Sequence, residues 1–251
     1  MKHKAFSYLF FCTLVGSCGG GSLTTPLPPP IEKQSLLLNY SFSESAQGFS
    51  IDTADYSVEH PLNFKIKSEL AELPSPFEFR KGILYEWQNY SDDMKGYIKK
   101  KITGLNKDSQ FQVDFRVDVL SSIPEGCVGI GGAPGESVVV AAALLLEEPE
   151  KIVETKSGGQ FVFETYRVYI DGRQETRSDI TEMGHIGLPI PCNDFTLNNP
   201  VWEIKSLTNN SDFFVTTNST GEAWVFVSID SGFEGISTFY LTEIELSIQE
   251  R

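Results

Sequence analysis

Four aromatic residues offer the first chemistry to weigh. Tyr85 and Trp87 alternate within residues 83–89, Tyr90 follows at the end of that run, and Trp202 opens another apolar stretch. An exposed Trp or Tyr can stack on the apolar face of a sugar ring, so these four are the ligand-binding candidates; a core position is the competing reading for Trp87 and Trp202. Trp224, inside the apolar run 223–229, reads as core. Asp230 and Glu234, in Asp230-Ser231-Gly232-Phe233-Glu234-Gly235, bring carboxylate oxygens that suit a structural calcium ion, with Asp92 and Asp93 as a second source. The run lacks the alternating spacing of a calcium loop, and an acidic surface turn is the alternative.

Catalytic chemistry finds less to work with. Beyond the first few residues the histidines are His60 and His185, far apart and without metal-ligand spacing. No Gly-x-Ser-x-Gly is present. A sandwich glycosidase needs two carboxylates about 5–9 Å apart. Glu86, Glu164 and Glu222 lie in or beside strand-like runs, but spacing alone does not pair them. The reading therefore favours binding over catalysis. The glycine-rich stretch 129–136 is followed by Glu136 and a strand, not by Lys-Ser and a helix, so it reads as a tight turn and not as a phosphate cradle. Lys99, Lys100 and Lys101 alternate along a strand and read as edge protection.

These residues need strands to hold them. Phe111, Val113, Phe115, Val117 and Val119 alternate with Gln112, Asp114, Arg116 and Asp118, a period of two with one dry face and one wet one. Residues 238–249 alternate in the same way, with Tyr240, Ile244, Leu246 and Ile248 inward. Residues 138–146 and 223–229 are apolar on both faces and read as doubly covered strands. Ten to twelve short strands, separated by turns and without a sustained helical stripe, predict an all-β fold: a single β-sandwich, a jelly roll, over 35–251. Acidic residues outnumber basic ones 34 to 20, for a formal charge of −14. That field repels phosphate backbones, so nucleic acid is excluded as an expected partner.

The N-terminus supplies an address. Lys2 and Lys4 precede an apolar run from Ala5 to Val15, the pattern of a secretory leader, and the run is shorter than the about 20 residues of a membrane span. Leu14-Val15-Gly16-Ser17-Cys18 resembles the lipobox of bacterial lipoproteins. That resemblance implies a signal peptide over 1–17, a lipid on Cys18 and attachment to the membrane. Residues 18–34, with Gly19-Gly20-Gly21-Ser22 and a proline cluster, read as a tether. Gly19 stands where some Gram-negative lipoproteins carry a retention Asp, so the expected location is the outer membrane within the cell envelope. Cys12 would leave with the leader and Cys18 would carry lipid. Cys127 and Cys192 then remain in an oxidising compartment and are expected to form a disulfide.

Three further segments carry a second resemblance. They are Ser91-Asp92-Asp93-Met94 leading into residues 97–102, residues 126–137 with their glycines, and residues 230–235. Together they resemble a group of exported, lipid-anchored bacterial proteins with no assigned activity, whose sandwich is similar to carbohydrate-binding modules and galactose-binding-like domains. The resemblance implies fold and location, and a glycan or another extracellular ligand as partner. An envelope protein partner, or a glycan-active hydrolase or lyase, are the alternatives.

Overall fold

The computed structural model describes residues 32–90, 92–158, 161–192 and 200–251. The leader, Cys18 and nearly all of the tether lie outside them. Residues from Lys33 onward form one compact unit. Its strands make two large antiparallel sheets and a small third one.

The first sheet runs β12 (Glu203–Thr208), β6 (Gln110–Ser121), β15 (Ile236–Glu250), β4 (Lys81–Gln88), β3 (Lys67–Glu72). β1 (Ser35–Ser41) lies beside β15, and β13 (Phe214–Thr216) beside β6. The second runs β11 (Thr181–His185), β7 (Val138–Leu145), β14 (Glu222–Ser231), β5 (Met94–Thr103), β2 (Ser50–Ala54). All pairings in both sheets are antiparallel. Successive strands often change sheet, and the inner faces interdigitate into one core. Phe111, Val113, Phe115, Val117 and Val119 of β6 meet Val138, Val140, Ala142 and Leu144 of β7, with Val225 and Val227 of β14 among them. The alternation expected for β6 and the sandwich itself are therefore observed.

The third sheet is β8 (Glu150–Gly158), β9 (Phe161–Ile170) and β10 (Arg173–Gln174). It packs on the outer face of the second sheet: Val168 and Ile170 of β9 cluster with Tyr97, Ala143, Leu145 and Phe226. This layer explains why β7 and β14 are apolar on both faces. A strand buried on both sides has no wet face on which to place polar residues.

β15 departs from the expected pattern. Its pairing with β6 shifts register between Leu241 and Glu243. The extra residue, Thr242, reverses the side-chain parity. Phe239 and Leu241 face the main core before the shift, and Ile244, Leu246 and Ile248 face it afterwards. Tyr240, expected inward with Ile244, points the opposite way and packs with Leu73, Leu84 and Leu120. The lysine run meets the edge expectation in part. β14 pairs with all of β5, whereas β2 pairs only with residues 95–99, so Lys99 sits between two strands and Lys100 and Lys101 run past the end of β2. Lys99 pairs with Glu148 at 2.6 Å, Lys101 with Glu222 at 2.7 Å, and Lys100 lies over the Tyr40 ring at 4.4 Å.

Candidate functional site

The three segments singled out in the sequence meet at one end of the sandwich. The Gly232 N–H donates to the Ser137 carbonyl at 2.8 Å, and the Glu234 N–H to that of Ile130 at 2.8 Å. A Cβ on Gly131, whose φ is +73°, would stand 2.8 Å from the Gly232 oxygen and 3.3 Å from an Asp92 carboxylate oxygen. Only glycine lets these turns approach so closely. The glycine-rich stretch is thus a packing device, as its sequence context predicts. The two touching turns form a ridge, with a different hollow on each side.

One hollow is a groove of about 460 Å³. Trp202, just ahead of β12, lines it together with Phe233 and Ile236 from the 230–236 turn. Ile123, Pro124 and Pro134 come from the loops beside β6 and β7. Trp202 is half-buried, and its ring meets Tyr240 edge-on, with centroids 5.6 Å apart and planes at 73°. Tyr240 is itself fixed among Leu73, Leu84 and Leu120, so the bulge in β15 is what puts a support behind Trp202. Cys127 lines the groove and is bonded to Cys192, with S–S 2.05 Å and Cα–Cα 5.3 Å. This is the expected disulfide. It closes a loop of sequence separation 65, which on the chain-entropy model stabilises by about 4 kcal/mol. Among the described residues the groove is lined by two hydroxyl side chains, Ser122 and Thr238, and by no charged one.

The other hollow is a cleft of about 490 Å³ on the outer face of the second sheet, where the third layer does not cover it. Val139 and Ala141 of β7 and Ser228 of β14 form its floor. Asp93, Asp230, Arg177 and Glu182 bring charge to its walls. Behind the Asp230 wall lies an ion network. The Lys95 ammonium stands 2.9 Å from Glu175, 3.5 Å from Asp230 and 3.8 Å from Asp55. Arg167 of β9 reaches Asp55 at 3.1 Å, Glu154 at 3.8 Å, and Asp93. Burial pushes the Asp55 carboxyl up to about 7, although Lys95 and Arg167 both pull it down. For Lys95 burial acts to lower the pKa, but the summed attraction of Glu175, Asp230 and Asp55 raises it. The asymmetry is physical: the lysine gains from three carboxylates, whereas each carboxylate also feels the repulsion of its acidic neighbours.

The predicted binding residues divide accordingly. Trp87 is 1 % exposed and Tyr85 0 %, both in the main core. The Tyr85 hydroxyl donates to the Tyr97 carbonyl at 2.6 Å, and Trp87 stacks edge-on against Phe239. Neither can reach a ligand, because alternation put them on the face that meets the second sheet. Tyr90 is 56 % exposed but lines a separate depression with His60 and Phe64. Trp202 alone of the four lines the groove. Trp224 is half-buried under Lys99, whose ammonium lies 5.6 Å from its ring centroid.

Asp230, expected with Glu234 to hold calcium, faces the Lys95 ammonium, and among the described residues no three His, Cys, Asp or Glu side chains are placed to hold a metal. Of the carboxylates weighed for catalysis, Glu86 pairs with Lys67 at 2.6 Å and Glu222 with Lys101, while Glu164 is exposed on β9. The Asp55–Lys95–Arg167 network escaped sequence reasoning. Its members come from β5, β9 and the bend after β2 with no shared spacing, and the one local sign is Lys95 between the buried Met94 and Tyr97.

No family model matches the chain, and no curated protein matches it. Solved structures align at low similarity. The K1 adhesin domain of Lys-gingipain from Porphyromonas gingivalis W83 aligns with 86% of this chain and 98% of its own length, at 8% identity and TM-score 0.33. A carbohydrate-binding module structure from the β-sandwich superfamily aligns with 84% of this chain and 73% of its own, at 9% identity and TM-score 0.32. The enzymatically active domain of tailspike protein 4 from bacteriophage CBA120 aligns with 78% of this chain, at 9% identity and TM-score 0.29, but this chain spans only 19% of that one. At these values the alignments carry no argument about what this chain binds or does.

Proposed function

We propose that this chain is a binding protein of the bacterial cell envelope, held by a lipid on Cys18, whose sandwich takes a neutral glycan in the Trp202 groove. The observation that carries the reading is Trp202 itself. It is half-buried in an open groove and fixed from behind by Tyr240, while prolines and Phe233 shape the walls. A sugar ring buries its C–H face well on such a platform. The absence of any charged lining residue among those described points to an uncharged ligand, and to binding over acid–base chemistry. The second reading is an envelope protein as partner, favoured by Val128 and Ile130, which are 97 % and 72 % exposed on the neighbouring loop.

A glycan array probed with the chain from Lys33 onward tests the leading reading. Binding to at least one neutral oligosaccharide, lost in Trp202→Ala, is the expected result. No binding to any glycan would overturn it in favour of the protein partner. The anchor is tested separately: Cys18→Ser should abolish lipid labelling and release the chain from membranes, and continued membrane association of that variant would remove the anchor from the account.

A further inference from the structure

The third layer is held to the second sheet by two unlike contacts. Along one side, β9 continues the sheet as a ribbon with residues 55–58. The Asp55 N–H donates to the Tyr166 carbonyl at 2.7 Å, the Tyr166 N–H to that of Tyr56 at 3.1 Å, and the Val58 N–H to that of Glu164 at 3.0 Å. Over the sheet, Val168 and Ile170 are the residues of β9, among those described, that are buried against the outer face, a small apolar seal. Between ribbon and seal sits the ion network, with Asp55 at its centre and its side chain 6 % exposed.

All but one of the neighbouring elements turn charge toward that carboxyl. β5 contributes Lys95, β14 contributes Asp230, and the loop before β5 contributes Asp93. From the third layer come Arg167 of β9, Glu154 of β8 through Arg167, and Glu175 just after β10 through Lys95. Beyond them Lys151 of β8 pairs with Asp52 of β2 at 2.8 Å and also meets Tyr56, while Tyr97 approaches the same Asp52. Asp179 is held by Arg173 on the outside. Around Asp55 itself this makes five carboxylates, counting its own, to two cations. β7, the remaining neighbour, turns only Val139, Ala141 and Ala143 outward there.

We infer that the β8–β10 layer is a pH-sensitive cover: the Asp55 cluster clamps it to the second sheet, and loss of the Asp55 proton loosens the clamp and widens the cleft. The link between β10 and β11 supplies Arg177 and Ile180 to the cleft wall, so movement of the layer at β10 shifts that part of the wall, while Glu182, on β11, stays with the second sheet. The inference is independent of the groove reading, which concerns the other side of the ridge.

The direction follows from linkage. Asp55 is raised from 3.8 to about 7 by burial, and burial raises the Glu175 carboxyl too. A carboxyl raised on folding stabilises fully below its unfolded value, and that contribution is lost as pH rises through its folded value. Lys95 and Arg167 are both raised, against the opposing effect of burial, so they stay charged across this window. Asp179 is lowered, chiefly by Arg173, and titrates below the window. From about pH 5 to about pH 8 the net effect on docking is therefore a loss.

The test is hydrogen exchange on the full chain at about pH 5.5 and about pH 8, expressed as protection factors so that intrinsic exchange rates cancel. Protection of β9 amides at residues 166–170 should fall by about tenfold or more on going to the higher pH, while β6 and β15 stay unchanged. In Asp55→Asn most of that fall in β9 protection should be lost, leaving the smaller part that Glu175 and Asp230, also raised by burial, contribute. A flat β9 profile in the native chain overturns the inference, as does an unchanged drop in a folded Asn variant. Should that variant not fold, as β6 and β15 protection would report, the native profile alone decides.

Discussion

The groove and the cleft lie back to back across one ridge, are of nearly equal size, and are built on opposite principles. The groove is shaped by prolines, a disulfide and an aromatic pair, and among the described residues no charged side chain lines it. The cleft is walled by charge, but Asp93 and Asp230 are already engaged by Arg167 and Lys95. Carboxylates already held by cations behind the wall help to hold layers together; an open apolar surface is the one that gains by taking a ligand. That difference is why function is assigned to the groove and architecture to the cleft.

The largest effect should come from breaking the cleft side. Lys95→Met leaves Asp55 and Glu175 buried without their shared cation and should cost about 3–5 kcal/mol in urea unfolding, with glycan affinity in the folded fraction preserved. On the groove side, replacing Cys127 and Cys192 together by Ser should cost at most about 4 kcal/mol, and it should weaken ligand binding as well because Cys127 is part of the wall. Trp202→Ala should lower glycan affinity about tenfold or more while costing stability less than Trp87→Ala, whose large, fully buried ring is worth about 3–5 kcal/mol. The smallest effect is expected at Lys101→Ala, where an exposed pair with Glu222 is lost: no more than about 1 kcal/mol, and nothing in binding.

Much of the frame was legible in the residues. Period-two alternation located β6 and placed its dry face, and the two-sided apolar runs marked β7 and β14 as doubly covered strands, although the expected single sandwich held no third layer to cover them. The strands of that layer were harder. β8 reads Glu-Lys-Ile-Val-Glu-Thr-Lys, without a strict dry face, because it lies at the edge of a layer that covers little. β10 and β11 are short, and β11 is broken by a register shift at Gly184. Alternation also tells which residues share a face without telling which face is covered, so Tyr85 and Trp87 could not be separated from Trp202 by pattern alone. The groove draws on four stretches far apart in the chain, and Trp202 gains its backing from a bulge at Thr242 that no spacing rule announces.

The central claim is that ligand is taken at Trp202, and tryptophan fluorescence reads it directly. Trp87 is sealed in the core and Trp224 lies on the opposite side of the second sheet from it, so a ligand in the groove should perturb Trp202 alone. Titrating an array-positive oligosaccharide into the native chain should give a saturable blue shift, and Trp202→Phe should abolish the shift. A shift of equal size persisting in Trp202→Phe would contradict the account and move the site elsewhere on the sandwich.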